Sequence, residues 1–271
     1  STRIAVINCR NQWSNEASKK AAVYCVIIGF AAHPPKQSHL FDYEDIKGEP
    51  HEVLAKEINP YLVSAPATVV IRNRQKPLGP VPEMSFGNMP RDGGQLILTA
   101  QEKEEMLREE PEAKKFLRLY MGAEEFLNGG ERWCLWLVDA SPSELRALPR
   151  VLRRIEAVKM FRQLSKAAST RKMAETPSLF AQRTQPQTDY LLVPRVSSER
   201  RAYIPIGFFS SDVIVSDSCM SVPSANLFHF GVLESEMHMA WMRAVCGRLK
   251  SDYRYSKDIV YNNFPWPEKP T

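Results

Sequence analysis

The stretch "DYLLVPRVSSERRAYIPIGFF", residues 189–209, contains two apolar runs rich in β-branched and aromatic residues, separated by a charged segment. Such runs predict β-strands. Further short strand-like runs, among them "ATVVIRNR", "QLILT", "WCLWLVD" and "VIVSD", lie between loops rich in proline and glycine. The sequence around this stretch therefore predicts a strand-rich domain.

Helices are predicted by capping signals and by apolar spacing. Thr99 with Glu102, and Ser141 with Glu144, fit the S/T-x-x-E capping box. A helix is also predicted from Pro149, a residue suited to the first helical turn. Its expected apolar stripe is Leu152, Ile155, Val158 and Phe161. In the last predicted helix, within "SEMHMAWMRAVCGRLKS", the expected stripe is Met237, Trp241, Val245 and Leu249.

The N-terminal part of the chain predicts a β-hairpin. Residues 4–8 and 21–30 are strand-like, and the polar segment "RNQWSNEASKK" is expected to join them as a loop. His33, Pro34 and Pro35 interrupt the pattern, and the polar stretch through "DYEDIKGEPHE" predicts a linker. We expect a domain boundary near this linker.

Bulk composition is that of a globular protein. The chain has 271 residues, of which 44% are hydrophobic and 25% charged, enough for two domains or for one domain with appendages. "AAVYCVIIGFAA" is too short for a membrane helix and predicts a buried strand. The chain begins "STRIAVINCR", with neither an initiator methionine nor a signal peptide, and we expect it to be a piece of a longer protein. The five scattered cysteines predict buried thiols in a reducing cytoplasm.

The charge is unevenly distributed, although the net charge is only +5. An acidic helix is expected around residues 102–112, and basic residues crowd into one short region: Arg150, Arg153, Arg154, Lys159, Arg162, Lys166, Arg171 and Lys172. The two groups are expected on opposite faces, with a polyanion on one of them. Clustered cations neutralise phosphates, but a charge run is also the usual mark of a solvated helix face, and both interpretations stay open here.

Motifs for catalysis are not recognised in this sequence. Gly93 and Gly94 precede a strand-like run, which predicts a hairpin turn instead of a nucleotide cradle. There is no G-x-S-x-G elbow and no metal-ligand spacing. The segment "EINPYLV", residues 57–63, approaches the Asn-Pro-Pro-Tyr loop of DNA amino-methyltransferases but lacks one proline, so a turn leading into the next strand is predicted. We therefore predict no catalytic residue and no metal site in this chain.

The charged segment at residues 196–203 carries two side chains able to recognise bases. Glu199 and Arg201 are expected on one face of a strand. Arginine can bond guanine O6 and N7, and glutamate can accept from cytosine N4, so the two could read one base pair. An ion pair within the protein is the alternative.

Long motifs resemble one family over nearly the whole chain. They are "NQWSNEASKKAAVYCVIIGF", "INPYLV", "PEMSFGNMPRDGGQLIL", "CLWLVDASPSELR", "YLLVPRVSSERRAYIPIGFFSSDVI" and "HFGVLESEMHMAWMRAVCGRLKSDYRYSKDIVYNNFPWP". The sequence resembles the C-terminal part of MmeI-like enzymes, bacterial restriction–modification proteins that methylate the exocyclic amine of adenine in DNA with S-adenosylmethionine and are often fused to a nuclease. The closing "YSKDIVYNNFPWP" is the most specific of these motifs.

The resemblance implies an α+β fold, a mixed, strand-rich target-recognition domain with amphipathic helices, preceded by a β-hairpin from the end of a Rossmann-like methyltransferase domain. Its implied domains are residues 1–45, the last catalytic strands; 46–228, the target-recognition domain; and 229–271, the start of a helical region. The family's catalytic loop and its S-adenosylmethionine motif lie upstream, so "INPYLV" is a look-alike. No cofactor is expected in this chain, and S-adenosylmethionine is expected in the full-length parent.

The resemblance also implies roles for individual residues. Trp13 is expected to stack on the flipped target base. Base reading is expected from Lys166, Ala167, Glu199 and Arg201, and backbone contacts from Arg171, Lys172 and Arg195. The implied partners are double-stranded DNA and the chain's own methyltransferase domain, in the cytoplasm and away from membranes.

The expected function is a sequence-recognition module that lacks independent catalysis. Two alternatives stay open. The chain could be an active methyltransferase by itself, which bound S-adenosylmethionine would support. It could instead be a protein-interaction scaffold that holds methyltransferase and nuclease parts together, through its strand faces and the Trp241 helix, without reading DNA.

Overall fold

A computed structural model describes residues 3–14, 22–33, 36–42, 48–66 and 70–268, with side chains described from residue 26 onward except at residue 31. The chain divides into two compact units. The first is Ser1–Asn73 with Gly247–Tyr253, and the second is Arg74–Cys246 with Arg254–Thr271. The domain limits expected near residues 45 and 228 stay predictions.

The first unit contains a four-stranded sheet. Its strands are β1 (Arg3–Ser14), β2 (Ala22–Ala31), β3 (Ser38–Asp42) and β4 (His51–Ala55), in the order β2-β1-β3-β4. β1 pairs antiparallel with β2, which confirms the predicted hairpin. β1 also pairs in parallel with β3, and β3 pairs antiparallel with β4.

Two predictions for this region are wrong. Residues 10–14, expected in the hairpin loop, continue β1, whereas residues 15–20 of that loop lie outside the described residues. The expected linker contains strand residues at 42 and 51–52, because β3 places Leu40 opposite Ile7 and so extends the sheet beyond the proline break.

The "EINPYLV" segment forms a closed turn, as predicted. The side-chain oxygen of Asn59 accepts hydrogen bonds from the backbone N–H groups of Tyr61 (2.9 Å) and Val63 (3.3 Å). Leu62, at φ 63, closes the turn through its N–H to the Asn59 carbonyl. The amide oxygen that a methyltransferase loop would offer to a target amine is therefore occupied internally. Residues 70–74 of the predicted strand "ATVVIRNR" are irregular, and its residues 67–69 lie outside the described residues.

The second unit combines two four-stranded sheets with helices. Its strands are β5 (Ser85–Phe86), β6 (Ile97–Thr99), β7 (Leu117–Met121), β8 (Arg132–Leu135), β9 (Tyr190–Pro194), β10 (Val196–Ser197), β11 (Gly207–Phe209), β12 (Ile214–Val215) and β13 (Cys219–Pro223). One sheet has the order β11-β9-β13-β5 and the other β12-β7-β8-β6. The first is antiparallel throughout, and the second has one parallel pair, β12 with β7.

The helices of this unit are α1 (Ala100–Glu109), α2 (Ala123–Asn128), α3 (Pro142–Arg146), α4 (Pro149–Gln163), α5 (Ala168–Lys172), α6 (Leu227–Leu233) and α7 (Glu236–Val245), with 3-10 turns at Pro111–Phe116 and Met173–Glu175 and a π-helical turn at Lys257–Tyr261. Both predicted capping boxes, at Thr99 and Ser141, are confirmed. The predicted mixed, strand-rich α+β architecture is confirmed as well.

The main core lies between the β12-β7-β8-β6 sheet and helices α1 and α4. Leu98, Tyr120 and Leu135 contribute from the sheet, and Met106 and Val151 from the helices, all nearly inaccessible to water. Burial of such apolar side chains is the dominant stabilising contribution to folding. The core therefore fixes α4 against the sheet.

Buried hydrogen bonds of Asn88 connect the two sheets. Asn88 has no exposed surface, and its amide donates to the Val215 carbonyl (2.9 Å) while its side-chain oxygen accepts from the Thr184 N–H (2.7 Å). A Cβ on the preceding Gly87 would lie 2.1 Å from the Ser216 carbonyl oxygen. Only glycine permits this approach of two backbones, which accounts for the "FGN" part of the "PEMSFGNMPRDGG" motif.

The closing motif "YSKDIVYNNFPWP" anchors an irregular segment. Asn262 is buried and donates its side-chain amide to the Arg74 carbonyl (2.7 Å). The Tyr261 hydroxyl donates to the Pro82 carbonyl (2.7 Å), and the Trp241 indole N–H donates to the Val260 carbonyl (2.9 Å). The most specific motif of the sequence thus has a structural role.

The predicted last helix is correct in position but wrong in its buried face. α7 buries His238, Met239 and Met242, whereas Met237 is 71% exposed. The helix ends at Val245, and Leu249 lies in β14 (Gly247–Leu249), the neighbour of β15 (Asp252–Arg254). Cys246 has extended backbone angles, so the helical repeat cannot continue to Leu249.

Candidate nucleic-acid interface

Helix α4 leads directly into the segment predicted to read DNA bases. Val151, Ile155 and Val158 are buried along one face and pack into the main core. The predicted stripe is wrong at its ends, because Leu152 is 36% exposed and Phe161 is 47% exposed. The buried face starts at Val151, one residue before the predicted Leu152. At the C-terminal end of the helix, its last member is a charged residue.

That residue is Arg162, which has 0% exposed surface. Its five N–H groups donate hydrogen bonds of 2.7 to 3.0 Å to backbone carbonyls, those of Pro90, Arg91, Met173, Thr176 and Leu179. Burial lowers the pKa of Arg162, and the nearby Asp92 carboxylate opposes this shift. Arg162 was expected on a basic surface, and that expectation is wrong: it joins residues 90–91 and 173–179 to the end of α4.

The acidic and basic helices face each other, which corrects the prediction that they lie on opposite sides. Arg150 pairs with Glu109 and Arg154 pairs with Glu102, each with an N–O distance of 2.7 Å. Hydrogen bonding from the Thr99 backbone N–H and then from Arg154 lowers the pKa of Glu102. The N-terminal half of the basic helix is therefore largely neutralised inside the protein.

The cations beyond the end of α4 are different. Lys166, Arg171 and Lys172 are exposed, as is Ala167. Within the described part of the chain, no carboxylate forms an ion pair with any of these three cations. One Arg171 nitrogen, Nη1, donates to the carbonyls of Ser165 and Lys166, both at 2.9 Å. Arg171 thereby folds the loop that presents Lys166 and Ala167 back against α5.

The second predicted group lies in a turn. The strand expected across residues 196–203 ends at Ser197, so Glu199 and Arg201 do not share a strand face. The Arg201 N–H donates to the Ser198 carbonyl (3.1 Å), and Arg243 of α7 donates to the Ala202 carbonyl. These hydrogen bonds satisfy backbone groups of the turn that would pair with a neighbouring strand if β10 continued.

Side chains of this turn project without internal ion pairs. Glu199 is exposed, Arg201 is half-buried, and neither forms a salt bridge with any residue that the structure describes. The structure therefore does not contain the alternative, an ion pair between Glu199 and Arg201. Their expected role in reading a base pair stays a prediction.

Arg195 has a supporting position at the start of this region. Its Nη1 donates to the Asp217 carbonyl (2.9 Å), and its guanidinium lies 4.9 Å from the centroid of the Phe86 ring. Part of the guanidinium is thus used to join β9 to the loop before β13. Its predicted contact with the DNA backbone would have to come from the remaining N–H groups.

Trp13 lies in β1 opposite Val23, and its side chain lies outside the described residues. The expected stacking role therefore stays a prediction. The structure brings together Lys166, Ala167, Arg171 and Lys172 in one loop and short helix, and Glu199 with Arg201 in another turn. No hydrogen bond or ion pair of the described residues joins these two groups.

Three arginines shape this region in ways that the sequence did not predict. They are Arg91, which approaches α5 from a distant loop, Arg162, and Arg243. A signal existed for Arg162, because it follows Val158 by four residues and therefore lies on the same helical face. Arg91 precedes the turn signal Asp-Gly-Gly, but its neighbours could not be inferred from the chain alone.

The described residues also bear on metal, thiol and membrane chemistry. In the described ranges, no cluster of histidine, cysteine or acidic side chains could hold a metal ion. Cys134 and Cys219 are buried free thiols, and burial raises the pKa of Cys219 to about 12. The described part of the chain contains no helix with the length and apolarity of a membrane span.

The described residues do not fit S-adenosylmethionine at the glycine pair. Gly93 and Gly94 adopt positive φ angles of 65° and 83° and are followed by a strand. A Cβ on Gly93 would lie 2.8 Å from the Phe161 ring, so the turn is already packed against α4. A nucleotide cradle requires instead a glycine loop at a helix N-terminus.

Comparisons with known proteins agree over nearly the whole chain. Residues 65–268 match the family model of the MmeI target recognition domain. DNA methyltransferase A of Bacillus subtilis (strain 168) is 39% identical over 261 residues, which cover 96% of this chain and 29% of that protein. A solved structure of the type IIL restriction-modification enzyme MmeI in complex with DNA is 46% identical with a TM-score of 0.94, and the match covers 99% of this chain and 36% of that one.

Proposed function

Because the chain belongs to the MmeI target-recognition family, we propose that it reads a short sequence in double-stranded DNA and positions one adenine for N6 methylation. The methyl transfer belongs, in this proposal, to an S-adenosylmethionine-dependent catalytic domain of a longer restriction–modification enzyme. The chain spans less than two fifths of the relatives it matches. The proposal therefore assigns recognition to this chain and chemistry to its parent.

One observation carries the proposal: the cations at residues 166–172 are exposed and have no acidic partner among the described residues, whereas Arg150 and Arg154 of α4 are paired with glutamates. Lysine and arginine that form no internal ion pair can neutralise DNA phosphates and release counterions. The loop follows the C-terminal end of a helix that the core holds rigidly. It is therefore positioned as a fixed contact element.

Base reading is assigned to the two predicted groups. Lys166 can donate to guanine, and the Ala167 methyl can contact the methyl group of thymine. Glu199 can accept from cytosine N4, and Arg201 can donate to guanine O6 and N7. Glu199 and Arg201 belong to one turn, which the hydrogen bond from the Arg201 N–H to the Ser198 carbonyl closes. The turn therefore holds the two residues close to each other.

Backbone contacts and base stacking complete the proposal. Arg171 retains donors on Nε and Nη2 after its Nη1 has bound the loop, Lys172 is exposed, and Arg195 retains part of its fork. Such contacts fix register on the duplex, whereas base contacts specify the sequence. Trp13 is assigned to stack on the flipped adenine, which has to leave the helix to be methylated.

Fluorescence anisotropy with a randomised duplex library tests the proposal. The 271-residue chain is titrated across a salt series, and the bound fraction is sequenced. We expect the logarithm of the association constant to fall with the logarithm of salt concentration by about 0.9 per neutralised phosphate. We also expect an enriched short motif. Salt-independent or absent binding would contradict the proposal.

Charge reversal identifies the surface. The triple variant K166E/R171E/K172E should lower the salt slope by about 2, because Arg171 and Lys172 are assigned to two phosphates. A matched control, R108E/K114E/R146E, reverses three exposed cations near the other end of α4, about 22 Å away by the rise of a helix. Equal losses in both variants would mean that only net charge matters. An unchanged affinity in the first would favour the scaffold alternative.

A further inference from the structure

The turn before β6 holds a non-glycine residue in a strained conformation. Arg91 has φ 45, in the left-handed region that residues with a side chain rarely adopt. Such conformations cost free energy and persist only where the surroundings enforce them. Contacts around Arg91 are therefore expected to hold its backbone at this positive φ.

Hydrogen bonds on both sides enforce this conformation. The Arg91 carbonyl accepts from Arg162 Nε (3.0 Å), and the preceding Pro90 carbonyl accepts from Arg162 Nη2 (2.9 Å). On the other side, the buried Asp92 carboxylate accepts from the N–H groups of Gly94 (3.1 Å) and Leu96 (2.5 Å). The backbone on either side of Arg91 is thus fixed by buried groups.

The Arg91 side chain, in contrast, has only weak internal contacts. It is exposed, with Nη1 3.4 Å from the Thr170 hydroxyl and Nε 3.2 Å from the Met89 sulfur, a weak acceptor. No carboxylate of the described residues pairs with it. Arg162 binds five carbonyls and Arg154 binds Glu102, so Arg91 differs from the structural arginines of this unit.

The contact with Thr170 locates Arg91 beside α5. Thr170 directly precedes Arg171 and Lys172 in that helix, and Arg171 in turn holds Ser165 and Lys166. A residue far away in the sequence therefore joins the same cationic surface. Free guanidinium N–H groups in this position suit a phosphate, which arginine can bind in a bidentate manner.

We propose that Arg91 is a further DNA-contacting residue, which donates from the strained turn to a phosphate beside those bound by residues 166–172. This inference rests on the proposed function. The backbone of Arg91 is already fixed, so no backbone entropy is lost at this position when DNA binds.

The substitution R91G separates contact from structure. Glycine adopts positive φ readily, so R91G removes the side chain while relieving the backbone. We expect its urea midpoint to equal or exceed that of the unaltered chain. We expect DNA affinity to fall about three- to tenfold and the salt slope to fall by about 0.9, the loss of one phosphate contact. R91K, which keeps the cation, should retain most of the slope.

The matched control is K250G. Lys250 is also an exposed cation in the left-handed region, at φ 57, so its replacement makes the same change in charge and backbone freedom. We expect K250G to bind DNA like the unaltered chain. An equal loss in K250G, or a loss in R91G confined to particular bases in the library, would overturn the phosphate assignment.

The outcomes also distinguish this inference from the function on which it rests. If the unaltered chain shows no salt-dependent DNA binding, the proposed function fails and the Arg91 contact fails with it. If the unaltered chain binds DNA and R91G binds with the same affinity and slope, only the Arg91 assignment is overturned. A lower urea midpoint for R91G would make Arg91 a structural residue and would also overturn it.

Discussion

The two ends of helix α4 carry similar charge in opposite settings. Near its N-terminal end, Arg150 and Arg154 pair with glutamates of α1 at 2.7 Å. Beyond its C-terminal end, Lys166 and Lys172 are exposed and have no ion-pair partner among the described residues. A run of basic residues in a sequence therefore does not by itself predict an anion-binding surface. Each cation can bind an anion only if no carboxylate of the protein already pairs with it.

Between these ends lies a third setting, the buried Arg162. Its charge is retained in the interior because five carbonyl oxygens surround it. A buried ion is tolerated only when its hydrogen-bonding capacity is satisfied. The same residue type thus serves as an ion-pair partner, as an internal brace and as an exposed cation within one short segment.

The largest effect is expected from Arg162→Met. The substitution removes the buried donor of five backbone carbonyls, and we expect the free energy of unfolding to fall by about 3–5 kcal/mol. Urea unfolding of the 271-residue chain measures this. Arg153→Met, an exposed change on the same helix, should alter stability by less than about 0.5 kcal/mol. Similar small effects for both variants would show that Arg162 is not the brace of residues 90–91 and 173–179.

A second buried basic group, His238, sharpens the contrast with Arg162. It is 1% exposed, bonds the Tyr255 hydroxyl through Nε2 (3.0 Å), and its Nδ1 has no partner among the described residues. Burial lowers the pKa of His238 to about 4. Because few groups stabilise its charge, His238 is neutral in the folded protein, whereas Arg162 keeps its charge.

The pH dependence follows from this lowered pKa. An unfolded histidine has a pKa of about 6.5, so the unfolded state binds more protons between about pH 6.5 and 4. The contribution to stability is complete above pH 6.5 and is lost as the pH falls, about 2 kcal/mol by pH 5. Urea unfolding at pH 7 and pH 5 measures it. The variant His238→Gln should lose about that much less on acidification, and an identical pH dependence in both proteins would contradict the assignment.

A smaller effect is expected from Arg154→Ala. It removes an ion pair with Glu102 and a hydrogen bond to the Gln95 carbonyl, both at a partly exposed site. We expect a loss of at most about 1 kcal/mol in the free energy of unfolding and no change in DNA affinity. A fall in DNA affinity as large as that of K166E/R171E/K172E would remove the distinction between the two ends of α4.

Local signals in the sequence were sufficient for part of the fold. The capping boxes at Thr99 and Ser141, the helix start at Pro149 and the N-terminal hairpin each depend on residues close in the chain, and each is confirmed. Strand β13 and strand β7 were missed. The pairings of β13 with β9 and of β7 with β12 join strands that are distant in sequence, and such pairings have no local mark.

The faces of the helices were harder to predict for a physical reason. On α4 the predicted stripe, from Leu152 to Phe161, and the observed one, from Val151 to Arg162, share Ile155 and Val158. The elements that pack against the helix decide which of the two is buried. An arginine in an apolar stripe appears solvent-exposed until the carbonyls of residues 90–91 and 173–179 are placed around it. For the site, the loop at residues 166–172 could be found by charge and family resemblance, but Arg91 required the folded chain.

The smallest change in stability is expected at Leu164, which is 83% exposed between α4 and Lys166. Leu164→Ser should change the free energy of unfolding by less than about 0.5 kcal/mol, because almost no buried area is lost. If the loop lies against DNA, this side chain leaves water on binding, and the substitution should weaken binding by about 1 kcal/mol. Leu227→Ser is the matched control, since Leu227 is 77% exposed on α6. Anisotropy titrations of both variants compare the two sites directly: a loss confined to Leu164→Ser places the C-terminal end of α4 on the duplex, whereas equal affinities would leave its cations as a solvated face.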